Sequence, residues 1–142
     1  MSSSPQRAQR TTEGSGINKI TEAIIGAAMR IHSALGPGLL EKAYTACLAY
    51  ELRKTGFDVQ VEVELPVFYE SVRIEIGYRA DLIVNDLVIV ELKCVEKIIP
   101  VHEAQIISYL RLSGKSVGLL INFHVRHLRD GVKRFVEGTD WN

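Results

Sequence analysis

The chain has 142 residues, enough for one domain around one core, and 46% of them are apolar, as in an ordinary globular protein. Its 17 Lys and Arg balance its 17 Asp and Glu, which argues against a strongly basic, non-specific nucleic-acid binder but leaves room for a local basic patch. Two cysteines without C-x-x-C spacing, Cys47 and Cys94, argue against a disulfide framework or a zinc site and predict a reduced, cytoplasmic compartment.

Residues 1–16 are Ser, Thr, Gln, Arg and Gly with almost nothing apolar. They predict a disordered arm rather than a secretory signal. Arg7 and Arg10 are its only route to a phosphate backbone. No apolar run further on is long enough to span a membrane, so no membrane partner is expected.

A helical repeat begins near Ile17. Ile20, Ile24, Ala27, Ala28, Ile31 and Leu35 recur at helical spacing, with Asn18 as the predicted N-cap. Gly36-Pro37-Gly38 should stop it. His32, near its end, reads as a surface or dipole-facing residue. A second helix is predicted from Leu39 to Thr55, burying Leu40, Ala43, Tyr44, Cys47, Leu48 and Leu52. Glu41 falls in its first turn, where the helix dipole alone would favour a carboxylate. The sharper reading has Glu41 joining carboxylates further along the chain, with Tyr44 beneath it as a packing and hydrogen-bonding support.

Strand patterns follow. Phe57–Val67 alternates, with Val59, Val61, Val63 and Leu65 on one face and Gln60, Glu62 and Glu64 on a solvated one. Glu70-Ser71 reads as a turn, and Val72–Ile83 as a second strand with Arg73 and Glu75 outward. Gly77 marks a bulge or a close approach. The stretch D81-LIVNDLVIVEL-K93 then reads as an apolar hairpin turning near Asn85-Asp86. Together these make a three-strand antiparallel meander.

This hairpin carries charge at its ends: Asp81, Glu91 and Lys93. Charge at the edge of a core is costly unless it is paired or holds a metal. Two carboxylates beside an amine suggest a divalent cation on oxygen ligands. Glu91 and Lys93 share a face, and Asp81 must share it too. A two-residue loop would put Asp81 opposite Val90 and defeat this, so the metal reading requires a three-residue loop through Leu87 or a bulge. The plain alternative is a hairpin with a Glu91–Lys93 salt bridge.

A third helix is predicted over Val101–Leu112, ended by Gly114, with Gln105 and Tyr109 one turn apart and able to reach one point. Lys115–Phe123 is almost wholly apolar and predicts a central strand, parallel to Val88–Lys93 because a helix separates them. In the tail, Asp130-Gly131 predicts a hairpin turn. His124, Arg126, His127, Arg129, Lys133 and Arg134 read as a solvated face or, alternatively, as a phosphate-facing patch, for which Arg126, Arg129 and Lys133 are the candidates. Two histidines without further ligands make a weak metal signal.

The order helix, three strands, helix, strand, with Asp81 followed by Glu91-x-Lys93, resembles the PD-(D/E)xK nuclease superfamily. Gly38-Leu39-Leu40-Glu41-Lys42-Ala43-Tyr44 is similar to the G-x-x-E-x-x-Y motif of the GxxExxY family. Gln105-Ile106-Ile107-Ser108-Tyr109 is similar to the Q-x-x-x-Y motif of RecB-like members. The resemblance implies a restriction-endonuclease-like α/β fold: a mixed sheet, with a strand after a crossover helix and two N-terminal helices, in a single domain over residues 17–138. It implies that Asp81, Glu91 and Glu41 hold Mg²⁺ or Mn²⁺. It implies that Lys93 orients or activates water, and that Gln105, Tyr109 and Tyr44 position the site or touch substrate. One departure is Ala80, where the motif has Pro.

The implied activity is metal-dependent hydrolysis of phosphodiester bonds, in DNA, in repair or defence. The competing readings are an inactive module that keeps the fold to bind nucleic acid or protein, and a structural subunit. A homodimer would help a small, electroneutral domain grip a duplex.

Overall fold

The computed structural model describes residues 5–136, with side chains from Gly16 onward. Helix α1 spans Pro5–Leu35 and so starts well before Ile17. The expected arm over 1–16 is thus helical backbone from Pro5, and its first four residues, like the side chains of Arg7 and Arg10, lie outside the described residues. A helix nucleated by an apolar stripe extends at one hydrogen bond per residue, which polar residues can do without any periodic signal. Asn18 is therefore not a cap. It lies within the helix, accepting from Thr21 Oγ1 at 3.1 Å through its carbonyl and from Arg134 at 3.0 Å through Oδ1.

Helix α2 runs Glu41–Lys54. Leu40, expected in its buried stripe, is instead its exposed N-cap. Strands β1 (Val59–Glu64), β4 (Arg79–Val84), β5 (Val88–Lys93), β6 (Val117–Asn122) and β7 (Val132–Val136) form one sheet in the order β1-β4-β5-β6-β7. Strands β2 (Val67–Tyr69) and β3 (Val72–Ile74) form a separate two-stranded hairpin. The predicted Val72–Ile83 strand is thus two strands, broken around Gly77, whose φ of 93° needs glycine. Helix α3, Pro100–Ser113, crosses from β5 to β6, and these two strands pair in parallel as expected.

The sheet separates two apolar layers. Ile20, Ile24 and Ile31 of α1 and Tyr44, Leu48 and Leu52 of α2 pack on Leu82, Val90, Leu92, Leu119 and Ile121. Ile106, Ile107 and Leu110 of α3 pack on Ile83, Ile89 and Leu120 from the other side. Alternation along β5 and β6 feeds both layers, which is why these strands read as continuous apolar runs. Gly118 admits α3: a Cβ there would stand 2.9 Å from Ile106 Cδ1.

Strand β1 departs from simple alternation. Val59 packs in the α1/α2 layer, whereas Val63 and Leu65 pack in the α3 layer. Glu62, at φ 52°, makes the change of face. The tail also differs from the predicted hairpin. Leu128–Gly131 is a 3-10 turn, and β7 returns antiparallel to β6. His32 is no simple surface residue, since its Nε2 meets the Val125 carbonyl at 2.8 Å and ties α1 to this tail.

Candidate active site

The β4–β5 hairpin pairs Val84 with Val88, Ile83 with Ile89 and Leu82 with Val90. The loop is therefore Asn85-Asp86-Leu87, the three-residue form, with Asn85 and Asp86 at φ 51° and 56°. Asn and Asp tolerate that left-handed region better than most residues. This register sets Asp81 across from Glu91, and both share the α3 side of the sheet with Ile83 and Ile89.

The two carboxylates replace the next ladder bonds. Asp81 N–H donates to Glu91 Oε1 at 2.8 Å, and Leu92 N–H donates to Asp81 Oδ2 at 2.8 Å. Among the described residues, the second oxygen of each carboxylate has no protein donor. No buried side-chain oxygen among the described residues lacks a partner, so both second oxygens reach solvent.

Burial pushes the Glu91 carboxyl up to about 8, with the Asp81 charge adding to it. Asp81 is raised for the same leading reason, opposed by its bond from Leu92 N–H and by Lys93, and reinforced by Glu41 and Glu62. A site that holds protons so firmly has too little positive charge for its carboxylates. Two hard oxygens open to solvent fit a hard divalent cation.

Glu41 reaches the pair electrostatically from the first turn of α2. Among the described residues, no three His, Cys, Asp or Glu side chains are gathered closely enough to ligate one ion. The fold thus brings Asp81 and Glu91 together, and Glu41 stands nearby without joining a ligating triplet. Its position is set by Tyr44, which is fully buried and stacks on Phe123 with ring centroids 4.3 Å apart. The Tyr44 hydroxyl donates to the Gly36 carbonyl at 2.5 Å and accepts from Leu39 N–H at 3.2 Å. Tyr44 is therefore a support, as the sequence suggests, and cannot touch substrate, since nothing of it reaches solvent.

Lys93 lines a cleft of about 700 Å³ together with Gln105 and Tyr109 of α3. Gln105 Nε2 donates to the Tyr109 hydroxyl at 3.1 Å. Burial and the Glu91 charge raise the Tyr109 phenol, so it stays a proton donor beside the carboxylates.

The family model of the PD-(D/E)XK nuclease superfamily matches residues 18–135. The chain belongs to the PD-(D/E)XK nuclease superfamily. No curated protein and no solved structure matches it. Superfamily members are usually nucleases and typically use divalent metals. In this superfamily domain the D…ExK constellation lies on β4 and β5. Ala80, where the motif has Pro, is buried in the α3 layer.

Three basic residues of this superfamily domain stand apart from the cleft, and one acidic residue departs from the sequence reading. Arg126, Arg129 and Lys133 do not line the cleft of Lys93 and Gln105. Arg126 lies in the bend before the 3-10 turn, Arg129 within that turn and Lys133 on edge strand β7, where it pairs with Glu103 at 2.7 Å. Glu62, expected on a plain solvated face, lies across from Asp81 between the pairs Val61–Leu82 and Val63–Ala80, and its charge acts on Asp81. Register with β4 was the signal that could have found it.

Proposed function

We propose that this chain is a metal-dependent nuclease that hydrolyses phosphodiester bonds in DNA, in repair or in defence against foreign DNA. One observation carries this reading. Asp81 and Glu91 face each other across the hairpin, each with one oxygen held by a backbone N–H and one left open, beside Lys93. Lys93 forms no ion pair among the described residues, which speaks against the plain Glu91–Lys93 salt bridge and against a vestigial site.

The open oxygens of Asp81 and Glu91 would hold Mg²⁺ or Mn²⁺, with Glu41 completing the charge. When bound, such an ion neutralises charge on a phosphate oxygen and acidifies its water. The chain's own groups do the rest. Lys93 presents an ammonium beside the carboxylates, where it orients the attacking water and offsets charge on the phosphate. Tyr109, held by Gln105, closes the side of the site toward α3.

The GxxExxY assignment belongs to the same proposal, and each letter of the motif has a physical task. Gly38 takes φ 108°. Glu41 faces the carboxylate pair, and Tyr44 clamps the loop between them.

The deciding experiment is cleavage of supercoiled plasmid and of single-stranded DNA with Mg²⁺, Mn²⁺ or EDTA, comparing wild type with Asp81→Ala. Metal-dependent cutting lost in the variant is the expected result. An absence of cutting under every condition would overturn the reading.

A further inference from the structure

The wall opposite α3 in the Lys93 cleft is the β2–β3 hairpin, and nothing in the catalytic reading uses it. Among the described residues its strands pair only with each other. Three-residue strands in an isolated pair are marginal unless one face is covered. Val67 lines the cleft. By alternation Tyr69 shares its side, with their cross-strand partners Ile74 and Val72. Tyr69 is 68% and Val72 57% exposed. At the hairpin's base, Tyr78 also lines the cleft, 44% exposed, its ring 6.2 Å from that of Tyr109. A strip of apolar and aromatic surface thus runs from the hairpin tip to Tyr109, whose phenol feels the Glu91 and Asp81 charges.

The charge along this cleft has one sign. Its described lining includes Lys93 and Arg111 and no carboxylate. Arg111 is exposed and forms no ion pair among the described residues. Aromatic faces beside unpaired cations match a polyanion with exposed rings. A duplex keeps its base faces stacked inside, so rings on a cleft wall find nothing there to stack on. A single strand offers both phosphates and free base faces.

We propose that the groove between the β2–β3 hairpin and α3 binds single-stranded nucleic acid. Tyr69 and Tyr78 serve as stacking platforms, Arg111 is a phosphate contact, and the strand leads to Asp81 and Glu91. This deepens the nuclease reading and rests on it for its direction toward the carboxylates.

The test is fluorescence anisotropy with a labelled oligothymidylate and a duplex of equal length. It uses the full chain carrying Asp81→Asn, which prevents cutting and keeps an acceptor for Leu92 N–H. The single strand should bind about tenfold or more tighter than the duplex. Tyr69→Ala and Tyr78→Ala should each weaken it by about tenfold, and the Phe replacements should restore it. Arg111→Ala should lower the salt dependence by about one contact.

Equal affinity for the duplex, or Ala variants that bind normally, would overturn the proposal. So would a wild-type dimer that Tyr69→Ala dissociates, which would give the strip to a second copy. The nuclease reading fails separately: single-strand binding by a wild type that cuts nothing with any metal keeps the groove and removes the catalysis. Metal-dependent plasmid cutting without single-strand preference does the reverse.

Discussion

Lys93 stands two positions beyond Glu91 on the same face of β5, in the mouth of the cleft and without an ion-pair partner among the described residues. Among these residues no ion pair holds its amine, so its removal should show in chemistry more than in folding. Lys93→Met is expected to lower cleavage by about a hundredfold or more, the scale of a lost group acting on water. The melting temperature should stay close to wild type. A Lys93→Met chain that cuts at the wild-type rate would remove this residue from the mechanism. Tyr44 is the opposite case: a fully buried ring whose hydroxyl serves the Gly36–Leu39 loop. Tyr44→Phe keeps the stack on Phe123 and loses both hydrogen bonds. A loss of about 1 kcal/mol in urea unfolding is expected, together with reduced cleavage, because Glu41 begins the helix that this loop presents.

At the scale of elements, local pattern and hidden contact divide what the sequence discloses. The parallel β5–β6 pair was legible because both strands are buried on both sides and a helix separates them. The three-residue loop was legible by a chemical demand, since only that register puts Asp81 and Glu91 on one face. The β2–β3 excursion was not, because Val72–Ile83 alternates across the break at Gly77. Nor was the burial of Tyr44, whose main partner, Phe123, lies far along the chain. The 3-10 turn before β7 depends on a contact of the same hidden kind. A Cβ at Gly131 would collide with the Asn122 carbonyl, a backbone atom that cannot swing aside. Asn122 is itself fixed, accepting from Val95 and His124 N–H and donating to the Val95 carbonyl. Gly131→Ala is therefore expected to cost about 1–3 kcal/mol by urea denaturation, although a turn residue facing solvent would tolerate it.

For the whole molecule, the carboxylate pair couples protons, metal and stability. Glu91 titrates near 8 in the fold against an ordinary value of 4.5. Between those values the folded state binds more protons than the unfolded chain, so this group makes stability fall as pH rises through that window. Asp81, raised in the same direction, adds to the fall. A divalent cation needs the ionised carboxylates and replaces the protons as the neutralising charge. Its stabilisation should therefore be small at pH 5 and grow toward pH 8, with proton release on binding near neutral pH. At a metal concentration about a hundred times Kd, the gain is about 2.7 kcal/mol, which for a chain of this size raises Tm by roughly 10 °C. Glu91→Gln supplies the control, because a neutral amide can still accept from Asp81 N–H without any ionisation to oppose. Metal-free Glu91→Gln should lose much of the fall in stability with pH and respond weakly to Mg²⁺ or Mn²⁺. Thermal melts of both chains from pH 5 to 8, with and without metal, measure this directly. A wild type that neither loses stability with pH nor gains it from either ion would show that the pair is a structural hydrogen-bonded clasp between β4 and β5 and not a metal site.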